Sequence, residues 1–562
     1  MTINRPAASA SSHSGVPAKK MVFSLIVILS LTFLWCVISI FRSPHKYPID
    51  DAYFYLVIAY NYSHGLGSTF TGFQPTNGYH PLWMLLLALV CRISPFGKAA
   101  LIYEACALQF ALMLVGCVAI FRIFRNSFLM AAWAIVIYEA VFLGKGTLSL
   151  MEIWLATPLL LISVLLLKRL QNTSIPASKT CFLLGITLAA SSLARLELGF
   201  TSLLFWIAAI WITRQRSHPE TRTLGWAEEW CKAIVVCLPG MILTFLAVIS
   251  YLAINRACFG SAMPISGKIK SSFPNPHLHP GGLLGLFLIL SLVIGVGAAI
   301  AAILKRKESR SFPSALGLAV SVLGGGLAIS LCYDILFSSP AQWYFAEGYA
   351  YIILGLSLLL RRLIGSRSSM HIAGICLVAV TACLLNWLRG STNFMMNPDL
   401  ISQAGEFRKI SEQPGYAAAM QLNSILPQHA GMLIRDSPGI IAYYTELRVF
   451  PADGLVAPPA YSVDVVKEGA LAYFCKRDIH YVLSPDPFAG RPYLSPVMDE
   501  RRQGNKIVFT IYSPLGHRSA GGWTVPDDPI RVFPEISPQL NSSFSTVSLR
   551  EIPCNGYIAE TQ

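Results

Sequence analysis

The amino-acid sequence predicts a polytopic α-helical membrane protein of about 11 transmembrane helices plus juxtamembrane helices, followed by a C-terminal soluble α/β domain. Three observations carry this reading. Of 562 residues, 54% are apolar and 13% charged, and the mean hydropathy is +0.55; an ordinary globular chain carries about 25% charged residues. Long apolar runs recur through residues 21–390. Residues 391–562 are polar and rich in turn formers. Together these exclude a single soluble domain, a disordered chain and a small disulfide scaffold. The net charge of +14 does not point to nucleic acid, because the Lys and Arg residues sit in short clusters between apolar runs, as membrane topology requires.

Residues 1–20 form a polar N-terminus ending in Lys19-Lys20. The apolar run from Met21 to Phe41 is longer than the roughly 7–15 residues of a signal-peptide core, so it reads as an anchor with its N-terminus inside. Further apolar runs lie near 81–96, 99–124, 127–145, 150–169, 180–195, 198–213, 231–254, 282–304, 313–337, 345–360 and 370–390. Parity decides how many cross. If 81–96 lies against the outer leaflet, the basic clusters at Arg122/Arg125, Lys168/Arg169, Arg214/Arg216, Lys305/Arg306/Lys307 and Arg361/Arg362 all fall inside. If it spans, all fall outside. The run is also short, begins with Pro81 and contains Arg92, so 11 spans are expected and the tail faces outside.

That topology places the intramembrane acids on one side. Glu104, Glu139, Glu152, Glu197, Asp334 and Glu347 all fall in the outer halves or at the outer ends of their spans, and Asp50 and Asp51 lie just outside the first. Acids in apolar runs are costly and usually functional. Their common depth predicts an outward-facing polar cavity. In the tail, strand-like runs at Gly431–Arg435, Ile479–Ser484 and Ile507–Tyr512 alternate with helical patterns at 415–426 and 462–476, the mark of an α/β or α+β domain. Most of the 13 cysteines sit in apolar runs and none has CxxC spacing. Cys475 and Cys554, well inside the tail, can pair if it faces an oxidising compartment.

The first outer loop, within residues 42–98, is the richest in chemistry. Asp50 and Asp51 are adjacent, so on a helix they point about 100° apart and do not share a proton as a facing pair would. One can act as a base while the other caps the following helix, on which Tyr55 continues an aromatic stripe. His80 can bind a phosphate or simply sit at the interface, and Trp83 suits the headgroup belt. Glu152 stands at an outer helix start. Arg195 and Glu197, two apart, do not face each other on a helix, so either the helix breaks there or each has a distant partner. Lys268 and Lys270 lie on an outer loop against the positive-inside trend, where they can hold a phosphate at headgroup level. Trp343, Tyr344 and Glu347 open a later span on the same side.

In this order, the segments resemble the GT-C superfamily of integral-membrane glycosyltransferases over about residues 20–490. Asp50-Asp51-Ala52-Tyr53 is similar to that family's catalytic first-loop motif, and Asn77-Gly78-Tyr79-His80-Pro81-Leu82-Trp83 to its extension. Leu150-Met151-Glu152 resembles the family's Gly-Met-Glu segment with Leu150 in place of Gly, and Arg195-Leu196-Glu197 its Arg-Pro-acid segment with Leu196 in place of Pro. The loop from Phe259-Gly260 through Pro264 to Lys268 is similar to a further family loop. Arg435-Asp436-Ser437-Pro438-Gly439 and Asp453-Gly454-Leu455-Val456 look like the outer domain of relatives of the mycobacterial terminal arabinofuranosyltransferase.

The resemblance implies an inverting glycosyltransferase that uses a polyprenyl-phosphate sugar and a glycan, lipid or protein acceptor, in a bacterial inner membrane with the tail periplasmic. By that likeness Asp50 or Asp51 is the general base. His80, Arg195, Lys268 and Lys270 stabilise the donor phosphate. Tyr55, Glu152, Glu197, Trp343, Tyr344 and Glu347 serve the sugar or acceptor. No cofactor is expected, and no divalent metal, since the acids do not form an adequate ligand set. A flippase or transporter would place its polar groups near the midplane and often carry repeats, which the sequence lacks. A non-catalytic assembly scaffold on the same fold is the other alternative.

Overall fold

The structure is a computed structural model. It describes residues 48–125, 150–172, 174–216, 226–271, 312–337, 346–363, 414–435, 438–485, 497–516, 518–534 and 546–555, with the single positions Ala131, Ala134, Ile135, Tyr138 and Tyr344. The first expected span and those at 282–304 and 370–390 lie outside the described residues, as does nearly all of the one at 127–145.

Among the described residues, five helices are long and apolar enough to cross a membrane: Lys98–Ile123, Ile153–Leu170, Ala177–Ala194, Leu198–Arg216 and Ala227–Phe259. The helices of this part of the chain are α1 (Asp50–Ser63), α2 (Pro81–Ile93), α3 (Leu101–Ile123), α4 (Ile153–Leu170), α5 (Ala177–Ala194), α6 (Leu198–Arg216), α7 (Trp226–Phe259), α8 (Ile265–Lys270), α9 (Phe312–Leu336) and α10 (Ala346–Leu363). At 1.5 Å per residue α2 is about 20 Å long, short of the roughly 30 Å of a bilayer core, as its sequence led one to expect. Pro81 opens it, where proline's missing N–H costs nothing.

Among the described residues, Lys168, Arg214 and Arg216 lie at one end of the bundle. Lys168 at the end of α4 donates to the Ile123 carbonyl that closes α3. Arg214 near the end of α6 pairs with Glu229 at the start of α7 at 3.2 Å. Arg216 donates to the carbonyl of Ile175, just before α5, at 2.6 Å. The opposite end carries Glu152, Arg195 and Glu197, at the N-terminus of α4 and the α5–α6 junction. The charge asymmetry read along the chain is thus an asymmetry of the folded bundle.

Beyond residue 413 the described chain forms α11 (Pro414–Ile425), β1 (Gly431–Ile434), α12 (Pro438–Tyr444), β2 (Arg448–Pro451), α13 (Tyr461–Glu468), α14 (Ala470–Cys475), β3 (Ile479–Pro485), β4 (Met498–Gln503), β5 (Lys506–Tyr512), β6 (Ser519–Pro526), β7 (Arg531–Pro534) and β8 (Thr546–Glu551). One sheet has the order β2-β1-β3-β8-β7, the other β4-β5-β6. β1 runs parallel to β2 and β3; β3, β8 and β7 pair antiparallel. The single helix expected over 462–476 is two, because Gly469 adopts φ +83, a left-handed backbone that glycine takes without a Cβ clash. Cys475 and Cys554 are disulfide-bonded, tying the end of α14 to the chain just beyond β8.

Candidate active site

The site is assembled where the N-termini of α1, α4 and α10, the α5–α6 junction and the short helix α8 converge. Its centre is Arg195, which is fully buried. α5 ends here because Arg195 is extended, at φ −151° and ψ 117°. That break resolves the spacing problem posed by two charged residues two apart: the Arg195 Nε donates to Glu197 Oε1 at 2.9 Å. The same guanidinium lies 3.5 Å from Glu152 Oε1 and 3.3 Å from Glu347 Oε2, both carboxylates being buried. Its cationic carbon stands 5.1 and 5.2 Å from the ring centres of Tyr333 and Tyr344, which stack on each other at 5.1 Å. The Tyr333 hydroxyl donates to Glu197. Burial alone would raise the Glu197 carboxyl, but the charges of Arg195 and His80 override it and hold it down to about 2.

His80 Nε2 lies 3.8 Å from Glu152 Oε1. The His80 backbone N–H donates to the Tyr55 hydroxyl at 3.2 Å, so the loop before α2 is fixed against α1. Glu152 does not cap its own helix; its side chain makes no N-cap hydrogen bond and turns to Arg195 and His80 instead. Leu150, two residues earlier, has φ +56°, and its carbonyl accepts the Trp83 indole N–H at 3.0 Å. A left-handed leucine costs about 1–2 kcal/mol. Leu150 stands where the segment it resembles has glycine, and it adopts this backbone with its side chain buried. Trp83 itself is buried in protein rather than placed in a headgroup belt, a correction to the reading from its sequence position.

A second group lies beside the first. Lys270, the last residue of α8, reaches Asp51 Oδ2 at 2.9 Å and the Tyr344 hydroxyl at 2.8 Å. Burial alone would lower the Lys270 ammonium, but Asp51 and Tyr344 more than offset it and hold it above the ordinary lysine range. Tyr344 thus touches both groups, its ring beneath Arg195 and its hydroxyl on Lys270. Asn77 holds α8 in place: its Oδ1 accepts the Ile265 N–H at 3.1 Å, and its Nδ2 donates to the Met263 carbonyl at 3.4 Å. Lys268 is exposed and makes no ion pair among the described residues.

Asp50 faces the other way. Neither aspartate is the N-cap of α1, a position held by Ile49 without a side-chain hydrogen bond. Instead the Asp50 carboxylate accepts the N–H groups of Ile440 at 3.0 Å and Gly439 at 3.2 Å, both in α12 of the C-terminal region. Burial pushes its pKa up to about 8, against the pull of those two donors. Asp50 therefore caps a helix 389 residues away rather than its own.

Of the residues singled out in the sequence, the structure gathers Asp51, Tyr55, His80, Glu152, Arg195, Glu197, Lys270, Tyr344 and Glu347. Lys268 stands to one side, and Trp343 lies outside the described residues. Tyr333 and Asn77 were not foreseen as site residues. Tyr333 sits in an apolar span beside Asp334 with no signal beyond its position near the outer end; Asn77 sits in an Asn-Gly turn, which masked its role as a clamp. Among the described residues, no group of three or more His, Cys, Asp or Glu side chains is placed to hold a metal ion.

No family model matches the chain, and no curated protein matches it. Solved structures do resemble it. ArnT from Cupriavidus metallidurans bound to undecaprenyl phosphate is similar at 12% identity and a TM-score of 0.48, over 81% of this chain and 93% of that one. The archaeal oligosaccharyltransferase AglB from Archaeoglobus fulgidus, in complex with an inhibitory peptide and a dolichol-phosphate, is similar at 13% identity and a TM-score of 0.44, over 83% of this chain and 70% of that one.

Proposed function

We propose that this protein is an inverting glycosyltransferase that moves a sugar from a polyprenyl-phosphate donor to a cell-envelope acceptor hydroxyl on the outer face of the membrane. The observation that carries this is the Asp51–Lys270–Tyr344 arrangement. A carboxylate and a cation from segments 219 residues apart meet beside a buried carboxylate cluster, at the bundle end opposite the basic clusters. The motif likeness of the Asp50-Asp51 and Arg195-Leu196-Glu197 segments supports the same reading.

The reaction is a single displacement. The acceptor oxygen attacks the anomeric carbon as its bond to the phosphate oxygen breaks. Asp51 takes the acceptor proton late, when the carbon has become cation-like, which general-base help makes about 10²–10⁴-fold faster. The leaving phosphate keeps the electron pair of the broken bond, and Lys270 and His80 stabilise its charge. In the free enzyme Lys270 neutralises Asp51; a donor phosphate that takes up Lys270 frees the carboxylate to act as base. Arg195, enclosed by Glu152, Glu197 and Glu347, serves here to hold those carboxylates against the sugar hydroxyls rather than to meet the phosphate. Tyr55 and Tyr344 present rings or hydroxyls to the sugar and acceptor. No cofactor or metal enters this scheme.

The same reading sets the orientation. The basic clusters face the cytoplasm, the site and tail the opposite side. The Cys475–Cys554 disulfide suits an oxidising compartment such as the periplasm.

The test is donor turnover. The full-length protein in detergent is offered short polyprenyl-phosphate sugars with crude envelope acceptors, and released polyprenyl phosphate is measured. Release from one donor is expected. A folded protein that binds none of them and releases nothing contradicts the proposal and favours transport or a scaffold role.

A further inference from the structure

Asp50 and Asp51 are neighbours in sequence with separate partners. Asp51 meets Lys270, while Asp50 binds the backbone of the C-terminal domain at Gly439 and Ile440. The fit is close. A Cβ added at Gly439 would lie 2.5 Å from the Asp50 carbonyl oxygen and 3.0 Å from its Oδ1, so the approach is open only to glycine. Three residues after Asp50, Tyr53 packs against Tyr443 and Tyr444 at 5.4 and 5.9 Å. Further along, Lys98 Nζ donates to the Ala442 carbonyl at 3.0 Å, and the Tyr443 hydroxyl donates to the Lys98 carbonyl. The start of α1 is therefore gripped along the length of α12.

We propose that Asp50 is a positioning residue: by binding the Gly439 and Ile440 N–H groups it fixes the first turn of α1, and so aims the Asp51 carboxylate, making the C-terminal domain a working part of the reaction centre. This rests on the transferase reading, in which Asp51 is the base. The physical reason is leverage. Asp50 and Asp51 share one turn of backbone, and a displacement of about 1 Å in a reacting group can cost about 10²-fold in rate. The Asp50 carboxyl group presents one oxygen to each N–H group, whereas a carboxamide has one oxygen to offer.

The experiment uses the full-length chain in proteoliposomes and compares wild type with Asp50→Asn, Asp50→Ala, Gly439→Ala and the Asp50→Ala/Gly439→Ala double variant. Two quantities are read: kcat and KM for the donor that the turnover panel identifies, and amide hydrogen exchange across 438–444 without donor. Asp50→Ala and Gly439→Ala should each lower kcat about 10–100-fold with KM for donor within about threefold. The double variant should be no slower than the worse single one, since both break one contact. Asp50→Asn should recover part of the rate, and exchange at Gly439 and Ile440 should quicken in all four. Wild-type turnover in Asp50→Ala, or losses that multiply in the double variant, would overturn the proposal. So would an Asp50→Asn protein as inactive as Asp51→Asn, which would make Asp50 the base. If wild type turns over no donor, the transferase reading fails separately; exchange at Gly439 and Ile440 then decides the clamp, quickened in Asp50→Ala if it exists and unchanged if it does not.

Discussion

At the scale of single residues, the two aspartates illustrate how adjacency in sequence says little about role. A helix start points neighbouring side chains about 100° apart, and here one direction leads to a cation and the other to a backbone. On the proposed mechanism Asp51→Asn removes the proton acceptor and should lower turnover by about 10²–10⁴-fold with donor affinity retained. On the same mechanism Lys270→Ala should raise KM for the donor and lower kcat, because the cation meets the phosphate both in the bound donor and as it leaves; unchanged KM and kcat would argue against that placement. Asp50 also predicts a pH dependence of stability. Its folded carboxyl, held at about 8 mainly by burial with Asp51 and Asp453 adding to it, binds its proton more tightly than an exposed one at 3.8. Its contribution is therefore fully present below about pH 4 and is lost as pH rises through about 8. Thermal melts should show the wild-type midpoint falling between pH 5 and 8 more steeply than that of Asp50→Asn; parallel profiles would contradict this.

At the scale of elements, Arg195 organises three helix ends at once. Removing it as Arg195→Ala leaves Glu152 and Glu347 buried without their common cation, an effect of about 3–5 kcal/mol for a broken buried pair. Loss of a folded species in size-exclusion chromatography is the expected result, with Arg195→Lys rescuing fold better than activity, since an ammonium lacks the planar fork. The charges at 195 and 197 left two alternatives, a break of α5 or a distant partner for each, and both elements occur: α5 ends at Arg195, whose guanidinium also reaches Glu152 and Glu347. The left-handed turn at Leu150 could not be anticipated, because leucine gives no signal for positive φ. The α13–α14 break does carry a signal, Gly469, whose φ of +83° is one that glycine takes readily. In the tail, β1, β3 and β5 were legible from apolar runs bounded by turn residues. β4, with sequence Met498-Asp499-Glu500-Arg501-Arg502-Gln503, was not, since only its first three positions are buried.

At the scale of the whole molecule, the apolar helices and the common end shared by Glu152, Glu197 and Glu347 were legible because bilayer thickness and charge topology constrain sequence strongly. The docking of the C-terminal domain was not. It rests on backbone groups at Gly439, Ile440 and Ala442, and backbone contacts leave little trace in side-chain identity. The Thr76 hydroxyl adds a further tie, donating to the Ala457 carbonyl at 3.0 Å from the first loop. The disulfide closes a segment of 79 residues across the domain. Replacing both cysteines by serine should destabilise it by about 2–5 kcal/mol, read as a lower urea midpoint for the tail; an unchanged midpoint would show that the sheets alone carry its stability.

The central claim is that Asp51 accepts the acceptor proton during transfer from a polyprenyl-phosphate donor. It is tested most directly by the rate of polyprenyl-phosphate release in proteoliposomes for wild type and Asp51→Asn, at matched donor occupancy. Release by the wild type and a loss of about 10²-fold or more in the variant is the predicted result. Equal rates in the two proteins, or a bound donor that neither protein turns over, would contradict it.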